Sequence, residues 1–177
     1  MIVFRQADPR FPFLWSDASQ PAGRWHAEGD GPAHYFAETP DGAWAELLRH
    51  EEITEPEDID TIRRALWAVE IGDQRPQPVS LPNAIITGAR ETYPRCQAHA
   101  AGLRAKGAGR LIAASAALRQ GSAGGCEVVR GVERPAPPRD GRVVVVFGPP
   151  DDLIGWKVVE QGSPPRDLLT RVRHFRS

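Results

Sequence analysis

The chain opens on an apolar stretch, MIVFRQA, which predicts a first strand. The following DPRFPFLWSDASQPAGR holds too many turn formers for a regular element, and its Phe11, Phe13, Leu14 and Trp15 are candidates to cover one end of the core. PAHYFAE then predicts a short strand whose Tyr35 and Phe36 face opposite ways, because side chains alternate along a strand. In TPDGAWAELLRHEE the period becomes helical: Ala43, Trp44, Leu47 and Leu48 share one face, with Glu46 and His50 at its edge, one above the other. Thr39 is the candidate cap of that helix, Pro40 suits its first position and Asp41 its first turn. A second cap signal, Thr54 with Glu57 three residues on, predicts a short helix over PEDIDTIRRAL.

Downstream, LWAVEIG alternates as a strand does, while LPNAIIT is a short apolar run that its pattern leaves undecided. TYPRCQAHAAGLRAKGAG predicts a helix, with Thr92 as candidate cap and Gly107 or Gly109 as its end. RLIAASAAL predicts a buried strand whose exit holds Ser115, and RVVVVFG, IGWKVVE and DLLTRVRHF predict the closing strands of a sheet. RVVVVF is apolar enough for a central position. Strands gather at both ends with helices between, which predicts an α+β fold rather than regularly alternating βαβ units. No repeat or linker divides residues 1–177, so one domain is expected.

Composition narrows the function classes. Apolar residues at 41% and charged residues at 25% suit a soluble globular protein of 177 residues. A formal charge of -1 offers nothing to recommend direct nucleic-acid binding. No apolar run is long enough to span a membrane, and Asp8 comes too early for a secretory signal, so the cytoplasm is expected. Cys96 and Cys126 lie on different expected elements and read as reduced thiols. Charge is unevenly spread: HEEITEPEDID holds six carboxylates and RDLLTRVRHFRS four arginines against one aspartate. These are either two solvated surfaces or places that meet a partner.

Arg24, Tyr35 and Glu46 stand eleven residues apart on what read as a turn, a strand and a helix. The even spacing carries no meaning, since the three element types advance differently. Arg24 follows Gly23, which permits an unusual turn, and a guanidinium suits bidentate contact with phosphate or carboxylate. Trp25 would pack behind it. Glu46 is either an amphipathic border residue or a carboxylate facing a cleft; Tyr35 either a half-buried strand aromatic or part of the same cleft. Ser115 is a small filler or a polar contact, and its hydroxyl needs a partner in either case. Nucleotide-loop, zinc-protease and serine-elbow motifs are absent, and the five histidines form no metal spacing.

Taken together, AGRWHAEG, AHYFAETPDGAWAELLRH and LIAASA resemble the RES domain family, named for its arginine, glutamate and serine. The likeness places the family's principal polar groups at Arg24, Tyr35, Glu46 and Ser115, and spans nearly the whole chain, with Arg5 of the first strand and LLTRVRHF of the last also familiar. His26 stands where the family commonly has asparagine, and Ala114 where a proline often precedes the serine. The resemblance implies a fold like that of ADP-ribosyltransferase toxins, with twisted, mostly antiparallel strands around an NAD cleft. It implies the toxin of a toxin–antitoxin pair whose partner carries a helix-turn-helix domain and supplies any DNA contacts. The implied activity is cleavage of NAD at the nicotinamide–ribose bond by phosphorolysis or hydrolysis, with NAD as substrate, inorganic phosphate as candidate co-substrate and no catalytic cofactor. Arg24, Trp25, Tyr35 and Ser115 would bind the dinucleotide, and Arg24, Tyr35, Glu46 and Ser115 would carry the reaction. Protein ADP-ribosylation is the alternative, as is an inactive binding module on the same fold.

Overall fold

The structure is a computed structural model that describes residues 1–14, 20–149 and 153–175. Its strands are β1 (Ile2–Ala7), β2 (Ala33–Ala37), β3 (Arg64–Glu70), β4 (Gln77–Pro78), β5 (Arg110–Ala114), β6 (Cys126–Val129), β7 (Val132–Pro135), β8 (Arg142–Phe147) and β9 (Ile154–Gly162). Seven form one sheet in the order β4-β5-β8-β2-β1-β3-β9, antiparallel throughout except for β4 beside β5. The helices are α1 (Pro40–His50), α2 (Pro56–Ile59), α3 (Asn83–Thr87) and α4 (Tyr93–Ala105). The result is a single α+β domain with a mixed, mostly antiparallel sheet, as the segment pattern predicts.

β1 matches β3 along its whole length and β2 matches β8, but β1 and β2 pair only where Phe4 meets Ala37. The two central strands therefore part, and the sheet is two half-sheets joined at one point. On one face, Trp44, Leu47 and Leu48 of α1 pack with Leu66, Leu118 and Leu168, each contributing roughly 1.5–3 kcal/mol by its burial. Beside them Cys96 and Ala100 of α4 pack with Trp25, Leu111 and Val145. The other face holds Val3, Phe36, Val69 and Val144 under Phe13 and Leu14, and Phe13 stacks on Trp67 at 4.9 Å. Phe13 and Leu14 of the segment before β2 thus cover the core as expected, whereas Phe11 is exposed and Trp15 lies outside the described residues.

Several local expectations are met. Thr39 accepts from the Gly42 amide and caps α1. α4 ends at Gly107, not Gly109: Gly107 takes φ +87, its amide donates to Arg104 O, and the Ala108 amide donates to Leu103 O. That is the paired closure for which a left-handed glycine is suited. β8 is central and buried.

Others are corrected. The undecided LPNAIIT contains helix α3. Thr54 does not cap α2, which is four residues long; its hydroxyl donates instead to Glu55 Oε1, and Glu55 occupies the cap position. Thr92 places no side-chain oxygen on α4 amides; it is itself helical and engaged elsewhere. DLLTRVRHF is not a strand: Arg166–Arg171 form a 3-10 turn, after which the chain lies along residues 117–119 with Val172 opposite Leu118. The adjacent Leu168 and Leu169 both pack against the α1 cluster with Val172; a strand would turn two neighbours to opposite faces, and the 3-10 turn does not. The Gly/Pro-rich stretch contains the β6–β7 hairpin. The acidic segment and basic tail meet within the chain where Asp60 pairs with Arg166, and Arg171 of the tail pairs with Asp41 of α1. Cys96 is buried and Cys126 exposed, both free. No described helix is long and apolar enough to cross a membrane.

Candidate active site

A cavity of about 800 Å³ opens where β1 and β2 part, a volume typical of sites that enclose small organic ligands. Because the sheet is split there, groups from both faces reach one space. Arg5 comes from β1, where its guanidinium lies 5.9 Å from the Phe36 ring, while Tyr35, Glu46 and Arg49 come from the helical side.

Glu46 has a neighbour at each of its two oxygens, one of them a hydrogen bond. The Ser115 hydroxyl donates to Oε1 at 3.3 Å, and His50 Nε2 lies 3.7 Å from Oε2, the four-residue pairing that the helix predicts. Ser115 is buried and spends its oxygen locally, accepting from the amides of Ala117 at 3.2 Å and Leu118 at 3.1 Å. This ties down the turn that ends β5 and leaves the one hydroxyl hydrogen for Glu46. Ala114 and Ala116 line the cavity on either side, and Ser115 stands behind the carboxylate.

Arg24 lines the cavity but is not a free clamp. Its Nη1 donates to Ile85 O at 3.3 Å and Thr92 Oγ1 at 3.1 Å, and its Nη2 donates to Gly88 O at 2.7 Å. Its guanidinium also sits 4.6 Å from the Tyr93 ring. Thr92 serves Arg24 in this way, while its own hydrogen goes to Ala89 O at 2.8 Å, which explains why it caps nothing. Trp25 has no exposed surface and backs the cavity from the α4 side.

Gly23 is needed for a reason other than an unusual backbone angle. It lies outside the left-handed region, but a Cβ there would stand 2.7 Å from both His26 Cε1 and Tyr35 Oη. Tyr35 Oη receives the Trp25 amide at 2.9 Å and bonds His26 Nδ1 at 2.9 Å. Burial pushes the Tyr35 phenol well above its usual range and pulls the His26 imidazole down.

Two lining residues, Arg49 and Tyr93, escape a reading of the sequence, and a third, Arg5, enters it only through the family resemblance. Arg49, one turn beyond Glu46, is 2% exposed and bonds four carbonyls: Ala116 O and Arg173 O at 2.6 Å, Gly88 O at 3.0 Å and Thr87 O at 3.5 Å. Burial, then the nearby Arg24, lowers its pKa. Tyr93 stands under Arg24 at the start of α4. Arg5 has no carboxylate partner among the described residues, and burial with neighbouring Arg64 lowers its pKa to about 10, so it stays charged at neutral pH. Only a strand arginine among apolar neighbours hints at Arg5; a helix-edge arginine like Arg49 gives no signal of its carbonyl partners. Asp8 and Glu51 are also on the wall, Asp8 already paired with Arg10. The cavity thus combines the Glu46 carboxylate with guanidinium groups and aromatic rings, a set suited to a ligand carrying both phosphate and a cationic ring.

Comparison with known proteins follows the same lines. The RES domain family model matches residues 3–149, and the chain belongs to that family. A solved structure with a similar fold is a chain of the M. tuberculosis MbcT–MbcA toxin–antitoxin complex, with a TM-score of 0.57, 16% sequence identity and coverage of 96% of this chain and 86% of that one. Comparison with curated proteins finds no match.

Proposed function

We propose that this RES-domain protein cleaves NAD between nicotinamide and ribose, with phosphate or water as acceptor, and is the toxin of a toxin–antitoxin pair. The observation that carries the reading is the Glu46 carboxylate, fixed by Ser115 and beside His50, in a cavity whose other charged walls include Arg5, Arg24 and Arg49. In the reaction the C1′–N bond breaks, its electron pair passes to the pyridinium nitrogen, and neutral nicotinamide leaves without help from an acid. Positive charge develops on the ribose, as in other sugar-cleaving transition states. The Glu46 carboxylate stabilises that charge where it forms, and Ser115 keeps the carboxylate oriented. An oxygen of phosphate or water supplies the electron pair for the new bond to C1′; with water, one proton is released to solvent. Arg5 offers charge to the diphosphate. Arg24 adds to the field, but much of its hydrogen bonding holds the 85–92 wall in place. Tyr35 provides an aromatic surface for the nicotinamide.

The likeness to a chain of a toxin–antitoxin complex supports a protein partner, and we assign that role to a helix-turn-helix antitoxin. Purified protein, freed of any partner and incubated with NAD, is expected to release nicotinamide. ADP-ribose 1″-phosphate formed only when phosphate is present identifies phosphorolysis; ADP-ribose identifies hydrolysis. Replacing Glu46 by Gln should lower kcat by on the order of 10²–10³ while leaving thermal unfolding nearly unchanged. An unaltered rate in E46Q, or no nicotinamide from the wild type, would remove the reading.

A further inference from the structure

We infer that His26 is the positioning residue for Tyr35, and that the pair presents the phenol ring, not its hydroxyl, to the substrate. The inference rests on the NAD reading above and concerns how the same cavity holds its ligand.

The direction of each hydrogen bond follows from one carbonyl. His26 Nε2 lies 3.0 Å from Pro21 O, which can only accept, so Nε2 carries the hydrogen. His26 is 2% exposed, and a neutral ring with hydrogen on Nε2 leaves Nδ1 bare. Tyr35 Oη, 2.9 Å from Nδ1, must therefore donate its only hydrogen to His26. Its oxygen meanwhile accepts the Trp25 amide. The hydroxyl has no hydrogen left for a ligand, so what Tyr35 offers the cavity is its ring.

The surrounding turn is built for this contact. Gly23 N donates to His26 O at 3.0 Å, and Gln97 Nε2 of α4 bonds both Gly23 O and His26 O. The missing Cβ of Gly23 is the space that the imidazole edge and the phenol oxygen occupy. The charged and titratable groups around His26 are Asp30 of the loop that follows it, Arg104 of α4 and Tyr35 of β2; Asp30 favours the protonated ring and Arg104 opposes it. A protonated His26 would turn a hydrogen toward Tyr35 Oη and expel the hydroxyl hydrogen toward the cavity, converting an apolar wall into a donor.

Two substitutions separate the two ring nitrogens. In H26N the amide oxygen sits where Nδ1 does and still accepts from Tyr35; in H26Q the longer amide reaches the Nε2 position and serves only Pro21. Wild type, H26N, H26Q, Y35F and the H26Q/Y35F double variant are compared in the full-length chain after thermal scans establish folding. KM for NAD should rise about tenfold in H26Q, with kcat within about twofold and H26N within about threefold of wild type, since one positioning hydrogen bond is lost. The double variant should be no worse than Y35F alone. Nitrogen-15 NMR of wild-type His26 at pH 7 should show Nε2 protonated and Nδ1 bare, whether or not any variant folds. Equal losses in H26N and H26Q, additive losses in the double variant, or a protonated Nδ1 would each overturn the assignment. If wild type cleaves no NAD, the catalytic reading falls, and the NMR measurement alone decides the His26–Tyr35 bond.

Discussion

Replacing Arg49 by Met tests how much of the site's wall hangs on one side chain. Its guanidinium joins four parts of the chain: helix α1, the 87–88 turn, the turn after β5 and the C-terminal segment at Arg173. Three of its bonds are 3.0 Å or shorter, and hydrogen bonds to a charged group contribute roughly 1.5–3 kcal/mol each. Against that stands the cost of burying a guanidinium that makes no direct ion pair among the described residues, several kcal/mol, eased in part by Glu46 one turn away. Methionine regains the apolar contacts of the stem but leaves the carbonyls unpaired. The net loss should be about 3–5 kcal/mol, which for a chain of this size lowers Tm by roughly 10 °C or more. Urea unfolding of wild type, R49M and R49K measures it. Lysine keeps the charge but not the planar fork, so R49K should fall between the two. Gly88 O also accepts from Arg24, so folded R49M should bind NAD more weakly as well. An R49M loss below about 1 kcal/mol, or an R49K equal to wild type, would refute the account, because three charge-assisted bonds cannot vanish at so little cost.

Ser115→Ala removes the acceptor of two buried amides and the donor to Glu46; a loss of about 2–4 kcal/mol by urea unfolding is expected, together with a lower kcat at little-changed KM. Gly23→Ala should destabilise by about 1–3 kcal/mol and displace the Tyr35–His26 pair, seen as a changed His26 nitrogen-15 shift; an unchanged shift would contradict the close approach. Stability should fall on mild acidification. Burial lowers the pKa of His26, His34 and His174 from the ordinary 6.5, so between the folded and unfolded values the unfolded chain binds more protons. Their contribution is complete above about pH 6.5 and is lost as pH falls below it; a urea midpoint unchanged between pH 7.5 and 5.5 would count against this.

The fold was legible where periodicity and local chemistry agree. The α1 face of Trp44, Leu47 and Leu48, the Thr39 cap and the apolar β8 run each state their environment in a few neighbouring residues. The errors fall where tertiary contacts outrank pattern. Thr92 looks like a cap, yet the buried Arg24 claims its oxygen. DLLTRVRHF looks like a strand, but the adjacent Leu168 and Leu169 both pack against the α1 cluster, and a strand would send them to opposite faces.

The site divides along the same line. Glu46 and Ser115 were legible because a helix-edge carboxylate and a strand-exit hydroxyl announce candidate roles, and the structure brings them together. What no sequence pattern states is where a guanidinium sends its donors. Arg24 and Arg49 are both on the cavity wall, and both share the Gly88 carbonyl, so each is partly scaffold. A carbonyl has no residue identity: any amino acid at position 88 would offer the same acceptor, and only the turn between α3 and α4 brings it within reach. The same holds for His26. With Nδ1 bare, as inferred above, His26 gives Tyr35 an acceptor in nearly the place where an asparagine oxygen would stand. Its Nε2 takes a second anchor at Pro21 O, and on this assignment the orientation of that tyrosine becomes sensitive to a proton, which an amide could not make it.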